Sequence, residues 1–365
     1  MTVTASNRAT VLVADESAAT RGWSEQLLRR AGHQVLVASD GLEALETARR
    51  EAPDVLVLDD EMPGLTGREV IERLRGEEQL SGIIMLAGRE QPRMEALALR
   101  TGADDWLPKH CDADELTRAV EQVCVRSRTR RMRKARLTEM DGELRAAAAI
   151  QAALLPERAP APPGYRLDWA VLPAHEVAGD LFDAAVYQDR LCLLVADVSG
   201  KGVGAGLLSG MARTALRLAL ARGDDPAEAM MAAGRLLYAD LERTGRFLTG
   251  CAFSLDPATG LMRYADAGHG HHLLLTPDGE AAPLPGGGLP LGFMAQPELE
   301  VAELTMPPGS RLALFSDGLV EGVGEPAERR ARLAEDIAAG RDARDIVAEA
   351  PDDDDRTLAV LERLA

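Results

Sequence analysis

The stretch Val195-Ala-Asp-Val-Ser-Gly-Lys-Gly-Val-Gly-Ala-Gly206 decides how the second half of the chain is read. The apolar run Leu191 to Ala196 predicts a buried strand ending at Asp197. A glycine-rich turn follows and feeds a helical pattern, with Leu207, Leu208, Met211, Ala215 and Leu218 expected on one face. A carboxylate at the end of a buried strand, before a turn almost free of side chains, suits a hard cation. Glycines let the chain come close, so the Val198 carbonyl can join Asp197 as an oxygen ligand. A plain strand-to-helix connection has the same local pattern, so the motif gains meaning only from its surroundings.

Those surroundings are acidic. Gly179-Asp180 precedes one predicted strand, Asp317-Gly318 follows Leu312-Ala-Leu-Phe-Ser316, and Asp352 to Asp355 precede the predicted strand Thr357–Leu361. Carboxylates brought together from such distant segments repel unless cations intervene. Hard, oxygen-liganded Mg²⁺ or Mn²⁺ resolves that repulsion. No Cys or His cluster has zinc spacing, and His269, His271 and His272, in a Gly-rich turn entering a strand, are expected to be structural or surface residues. The other strands expected here are Leu167–Leu172, Phe182–Gln188, Gly250–Leu255, Leu261–Ala267, His272–Thr276, Glu300–Thr305 and Arg311–Phe315, with helices over Gly204–Arg222 and Pro226–Arg243. Short turns such as Asp256–Gly260 and Pro277-Asp-Gly279 imply antiparallel pairing, hence an α/β sandwich of antiparallel sheets.

The first hundred-odd residues alternate differently. Strands are expected over Thr10–Ala14, Gln34–Ala38, Val55–Leu58, Ile83–Ala87 and Asp105–Leu107, with helices near Ala18–Ala31, Gly41–Ala52, Thr66–Glu77 and Pro92–Thr101. That order predicts a doubly wound, five-stranded parallel sheet whose site lies at the carboxyl ends of the strands. Asp15 and Glu16 follow the first strand, Asp59 the third and Lys109 the fifth.

Between the halves, Asp112 to Leu155 reads as a long helix. Its apolar positions, Leu116, Val120 and Val123, then Leu137, Met140, Leu144, Ala147, Ile150 and Leu154, predict a coiled-coil seam that pairs two chains into a homodimer. The seam is interrupted by the basic run Arg126, Arg128, Arg130, Arg131, Arg133, Lys134 and Arg136, read as a solvated face or a partner for the acidic domains. The expected division is 1–125, 126–160 (connector) and 161–365. A net charge of −18 argues against general nucleic-acid binding. No apolar run is long enough for a bilayer and the start lacks a signal-peptide core, so a cytoplasmic protein without membrane contact is expected. Cys111, Cys124, Cys192 and Cys251 are read as reduced, packed thiols.

The N-terminal motifs Val13-Ala-Asp-Glu16, Asp59-Asp-Glu-Met-Pro63 with Gly67, and Lys109 resemble the receiver domain of two-component response regulators, of flavodoxin-like fold. The resemblance implies Asp59 as phosphoacceptor, a histidine kinase as phosphodonor and one Mg²⁺ held by Asp15, Glu16 and Asp59 with Glu61. Lys109 is the implied phosphate-pairing cation. Two departures stand out: Ala87 replaces the usual Ser or Thr, and Pro108 precedes Lys109, with His110 after it. Trp106 holds the aromatic switch position.

From about Glu143 onward six ordered motifs carry a second resemblance. They are Ile150-Gln-Ala-Ala-Leu-Leu-Pro156, Val177-Ala-Gly-Asp180 with Asp183, Asp197-Val-Ser-Gly-Lys-Gly202, Ala267-Gly-His269, Phe315-Ser-Asp-Gly318 and Asp354-Asp-Arg-Thr357. Together they look like the SpoIIE/RsbU-type branch of the metal-dependent PPM (type 2C) serine/threonine phosphatases. The resemblance implies two Mn²⁺ or Mg²⁺ held by Asp180, Asp197, Asp317 and Asp354, with the Val198 carbonyl assisting and Asp355 as second choice for the last place. It also implies in-line attack of water on a phosphoserine or phosphothreonine, here of a phosphorylated STAS-domain anti-sigma factor antagonist. Lys201 stands where this branch often has His, and Ala178 where it often has Gly. The alternative reading is a non-catalytic adaptor built on a phosphatase fold and a pseudo-receiver.

Overall fold

The computed structural model describes residues 8–88, 100–156, 158, 160–321 and 325–365, which fall into two compact units dividing between Met140 and Asp141. In the first, β1 (Thr10–Ala14), β2 (Gln34–Ala38), β3 (Val55–Asp59), β4 (Gly82–Ala87) and β5 (Asp105–Pro108) form one parallel sheet in the order β2-β1-β3-β4-β5. Every residue of β3 and β4 is buried, as a sheet covered on both faces requires. Helices Ala18–Arg30, Gly41–Glu51 and Gly67–Gly76 follow the first three strands. Residues 92–99 of the expected helix Pro92–Thr101 lie outside the described residues.

The loop after β3 is fixed at its far end by a capping box. The Thr66 hydroxyl accepts from the Glu69 amide while the Glu69 carboxylate accepts from the Thr66 amide. A Cβ at Gly67 would lie 2.3 Å from the Asp59 carbonyl, so only glycine lets this helix begin so close to the strand end.

The connector is one helix, Ala113–Leu154. Its first part corrects the expected seam: Leu116, Val120 and Val123 are buried in the core of the first unit with Val11, Val57 and Ile84. An apolar repeat at three- and four-residue spacing looks the same whether it covers a sheet or a second helix, which is why the sequence merged the two. Leu137, Met140, Ile150 and Leu154 are exposed. The basic run is largely paired within its own unit. Arg128 and Arg131 reach Asp54 at 3.2 and 3.5 Å, Lys134 reaches Glu78 at 2.5 Å, and Arg130 pairs with Asp104.

The second unit stacks two five-stranded sheets, entirely antiparallel. One runs β13 (Ala302–Thr305), β10 (Leu261–Ala267), β9 (Leu248–Leu255), β8 (Arg190–Val198), β7 (Asp180–Tyr187). The other runs β12 (Ala281–Pro283), β11 (His272–Leu275), β14 (Arg311–Phe315), β15 (Arg356–Arg363), β6 (Tyr165–Leu172). Phe182, Leu193, Phe253 and Tyr264 from the first meet Leu167, Leu312, Leu314 and Leu361 from the second in the central core. Helices Val203–Arg222 and Pro226–Thr244 cover one outer face; Pro326–Ala338 and Ala343–Glu349, absent from the sequence reading, cover the other.

Only part of the periodic apolar face of Val203–Arg222 turns inward. Leu207, Met211 and Leu218 are exposed, whereas Ala205, Leu208, Ala212 and Leu216 enter the core. The helix is apolar on most of its surface, so two stripes share the same period, and the one with small residues packs more closely. All four cysteines are buried and free. Among the described residues no helix is long and apolar enough to cross a membrane.

Leu116 is fully buried, so Leu116→Ala should destabilise the N-terminal unit by about 2–5 kcal/mol in denaturant unfolding. A loss within about 0.5 kcal/mol, typical of surface positions, would contradict its place in that core.

Candidate functional site

At the carboxyl ends of β1, β3 and β5 the predicted N-terminal residues come together. Asp59 is fully buried; its Oδ2 accepts from Lys109 Nζ at 2.5 Å and its Oδ1 from the Glu61 amide at 3.1 Å. Burial raises the Asp59 carboxyl above its usual range, and the Asp15 charge adds to this against the opposing pull of Lys109. Asp15 is also fully buried, with Oδ1 accepting from the Ser17 amide at 2.8 Å and Oδ2 without a partner. An orphaned carboxylate oxygen beside a second buried carboxylate fits a hard cation. Glu16 is exposed, and Glu61 touches Asp59 through its backbone. Asp60 is bound instead to Arg68 by two contacts of 2.9 and 3.1 Å. Ala87, at the end of β4, offers only a methyl group; its carbonyl accepts from the Lys109 amide at 3.0 Å.

In the second unit a cavity of about 350 Å³ is lined by Asp197, Asp317 and Asp354, with Lys201, Phe247, Thr249, His269 and His271. Asp197 belongs to β8 itself and stands directly across from Asp180 of β7. Asp317 opens a short 3₁₀ turn after β14. A Cβ at the adjacent Gly318 would lie 2.0 Å from the Asp355 carbonyl, so glycine is what lets the Asp317 turn press against the acidic loop. Gly179 acts likewise: its missing Cβ would fall 2.8 Å from Val198 O, 3.2 Å from Asp197 Oδ1 and 3.3 Å from Gly200 O. Three oxygens thus face one small space.

The charges are costly to assemble. Burial first, then the charges of Asp317, Asp354 and Asp355, push the Asp197 carboxyl up to about 7. Asp317 is raised by burial and by Asp354. Asp180, whose Oδ2 accepts from the Thr357 hydroxyl at 2.6 Å, is raised by burial and by Asp197. This donor set suits a divalent cation, which would reverse every one of these shifts. Among the described residues no three His, Cys, Asp or Glu side chains converge on one point. An ion here would have to draw part of its shell from carbonyls such as Val198 O and from water, as Mg²⁺ commonly does.

Comparison with known proteins agrees with both halves. A family model for the response regulator receiver domain matches residues 11–121, and one for stage II sporulation protein E (SpoIIE) matches residues 187–364. Residues 11–121 thus match a receiver domain and residues 187–364 a SpoIIE-type domain with a PPM-like fold. Over the receiver the chain is 36% identical to the alkaline phosphatase synthesis transcriptional regulatory protein PhoP of Bacillus subtilis, across 32% of this chain and 49% of that protein. It is equally identical to the response regulator MprA of Mycobacterium tuberculosis, across 32% of this chain and 51% of that one. The chain thus spans about half the length of the curated relatives it matches. A crystal structure of the RsbU and RsbW domains of an M. tuberculosis protein superposes with a TM-score of 0.50 at 32% identity, covering 57% of this chain and 62% of that one. The SiaA-PP2C domain of Pseudomonas aeruginosa shares the fold, with a TM-score of 0.53 at 22% identity over 63% of this chain and 99% of that one.

Asp355, His269 and His271 take places in the SpoIIE-type domain that the sequence did not specify. Asp355 serves the fold: its Oδ1 accepts from the Ala174 amide at 2.8 Å and its Oδ2 from the Gly179 amide at 2.6 Å. It does not line the cavity, because its lone pairs tie the Gly179-Asp180 segment down. His269 and His271, expected to be structural or surface residues, line the cavity. His269 donates from Nε2 to the Phe315 carbonyl at 2.9 Å, and its amide binds Asp266 Oδ1 at 2.6 Å. Burial lowers His269 to about 4 and His271 to about 3, so both are neutral near pH 7. Thr249 and Phe247 were not singled out from sequence. They enter because β9 lies beside β8, a pairing no local motif announces.

The Asp197 shift has a stability consequence. A carboxyl raised from 3.8 to about 7 binds its proton more tightly when folded. Its contribution is present below pH 4 and is lost as pH rises toward and past 7. Without divalent ions, Asp197→Asn should therefore melt higher than wild type at pH 8, with the gap closing by pH 4 and reversing when Mn²⁺ is added. Equal melting temperatures at pH 8 would contradict the crowding of charge described above.

Proposed function

We propose that the chain is a response regulator whose output is metal-dependent hydrolysis of phosphoserine or phosphothreonine in a protein. One observation carries this reading: Asp197, Asp317 and Asp354, from three segments distant in sequence, line a single cavity beside the Val198 carbonyl. Asp180, Asp197, Asp317 and Asp354 are the residues that would hold two Mn²⁺ or Mg²⁺, with Val198 assisting. Paired cations of this kind ready a water for attack and polarise the phosphoryl oxygens.

The chain's own groups set the stage. Thr357 holds Asp180 by its hydroxyl, and Asp355 clamps the Gly179 and Ala174 amides so that β7 enters the site in one register. The neutral imidazoles of His269 and His271 wall the cavity without adding charge. Ser199, Phe247 and Thr249 form a rim through which a phosphorylated side chain enters. Water attacks phosphorus opposite the serine or threonine oxygen, the P–O bond to that oxygen breaks, and no covalent phosphoenzyme forms.

In this reading residues 1–125 are the receiver, 126–160 the connector and 161–365 the phosphatase. A histidine kinase phosphorylates Asp59 with one Mg²⁺ held by Asp15, Glu16 and the Asp59–Glu61 turn, and the phosphoryl group pairs with Lys109. The substrate is a phosphorylated STAS-domain anti-sigma factor antagonist. The exposed Leu137, Met140, Ile150 and Leu154 pair two copies. The protein acts in the cytoplasm.

The test is Mn²⁺-dependent hydrolysis of p-nitrophenyl phosphate and of a phosphorylated STAS protein. Wild type should turn over both. Asp197→Asn should lose more than about a hundredfold, the upper end of what losing a mere ligand-orienting partner causes. Binding of the STAS protein by wild type without turnover would favour the adaptor. For the receiver, acetyl phosphate with Mg²⁺ should label wild type and not Asp59→Asn; equal labelling of the two would remove Asp59 as acceptor.

A further inference from the structure

Lys201 stands in the glycine-rich turn where the related motif often carries His, and neither the fold nor the proposed reaction requires it. Its position is specific. Nζ sits 3.0 Å from Asp354 Oδ2 and donates to the Asp353 carbonyl at 2.5 Å, while the side chain lines the same cavity as Asp197 and Asp317. Both partners are half exposed, so as a simple surface ion pair the contact contributes little to stability. Its effect lies in where the charge is placed.

We infer that Lys201 acts as a tethered cation on Asp354, so a divalent ion at that carboxylate binds only by displacing the ammonium or sharing with it. The inference rests on the phosphatase reading and concerns the unequal strength of its two ion places. Asp197 Oδ1 and the Val198 carbonyl face the Gly179 cradle, and among the described residues Asp197 makes no ion pair, feeling the Lys201 charge only from a distance. Among the described residues Asp354 is the lining carboxylate that is ion-paired with a cation of the chain itself. Lysine supplies a compact, strongly hydrated point charge with three donors, whereas a neutral imidazole would leave the carboxylate unopposed. The arrangement predicts one tight and one weak Mn²⁺, the weak one at Asp354.

The experiment is a Mn²⁺ titration of the full chain at pH 7.5, following free Mn²⁺ by electron paramagnetic resonance, for wild type, Lys201→Ala, Lys201→Arg and Asp197→Asn. The receiver's own contribution is common to all four and cancels in the differences. Lys201→Ala should tighten the weakest Mn²⁺ roughly tenfold, as expected for removing one positive charge a few ångströms from a divalent ion at a wet rim. Lys201→Arg should stay within about twofold of wild type, since it keeps the charge. Unchanged or weaker binding in Lys201→Ala, with wild type binding more Mn²⁺ than Asp197→Asn, would overturn this inference alone. Identical binding by wild type and Asp197→Asn would overturn the phosphatase reading, and this inference with it.

Discussion

Like charges held at close quarters govern the second half of this protein. Asp180 and Asp197 are cross-strand neighbours, and Asp317 and Asp354 are brought to the same end of the sandwich by loops from the other sheet. A folded chain tolerates this only if its backbone is committed to the arrangement. The commitment is visible in Gly179 and Gly318, which allow contacts no side chain would permit. It is visible again in Asp355 and Thr357, which fasten the Asp180 segment by buried hydrogen bonds. The two stacked sheets, with helices outside both, supply the rigid frame against which the repulsion is held.

The receiver solves a smaller version of the same problem. Asp15 and Asp59 are both fully buried, and Lys109 neutralises one of them across a 2.5 Å contact. The oxygen of Asp15 left without a partner marks where further positive charge belongs. Lys109 and Lys201 thus have parallel geometry at different depths: each is an ammonium set on one carboxylate of an acidic cluster. At Asp59 the charge is set on a buried carboxylate at the end of β3. At Asp354 it stands in the way of an ion. Ala87 brings no hydroxyl to the end of β4, so the link there between β4 and the Lys109 segment is the backbone hydrogen bond from the Lys109 amide to the Ala87 carbonyl.

Much of this was legible in the residues. The parallel sheet followed from five apolar runs separated by helical periodicity, and β1, β2, β10 and β14 fall where the pattern placed them. The acidic turns were found because each follows or precedes an apolar strand. What failed did so for physical reasons. Leu116, Val120 and Val123 shared a period with the exposed residues beyond them, so one helix with two environments looked like one seam. Leu207, Met211 and Leu218 share a periodic face and are exposed, because the helix is apolar on nearly every side, where periodicity does not say which face turns inward. Asp355 was indistinguishable from Asp354 by type or spacing, and only the direction of the Ala174 and Gly179 amides separates them. His271 faces the cavity because of the turn at Gly268 and Gly270, both at positive φ, which no count of alternating residues registers.

The central claim is that these carboxylates exist to hold paired divalent ions. Crystals of the full chain grown with Mn²⁺ and measured near the manganese absorption edge test it most directly. The account predicts anomalous peaks in the cavity between Asp197, Asp317 and Asp354, with the stronger on the Asp197 and Val198 side. A cavity without anomalous density in crystals whose receiver site is filled would contradict it.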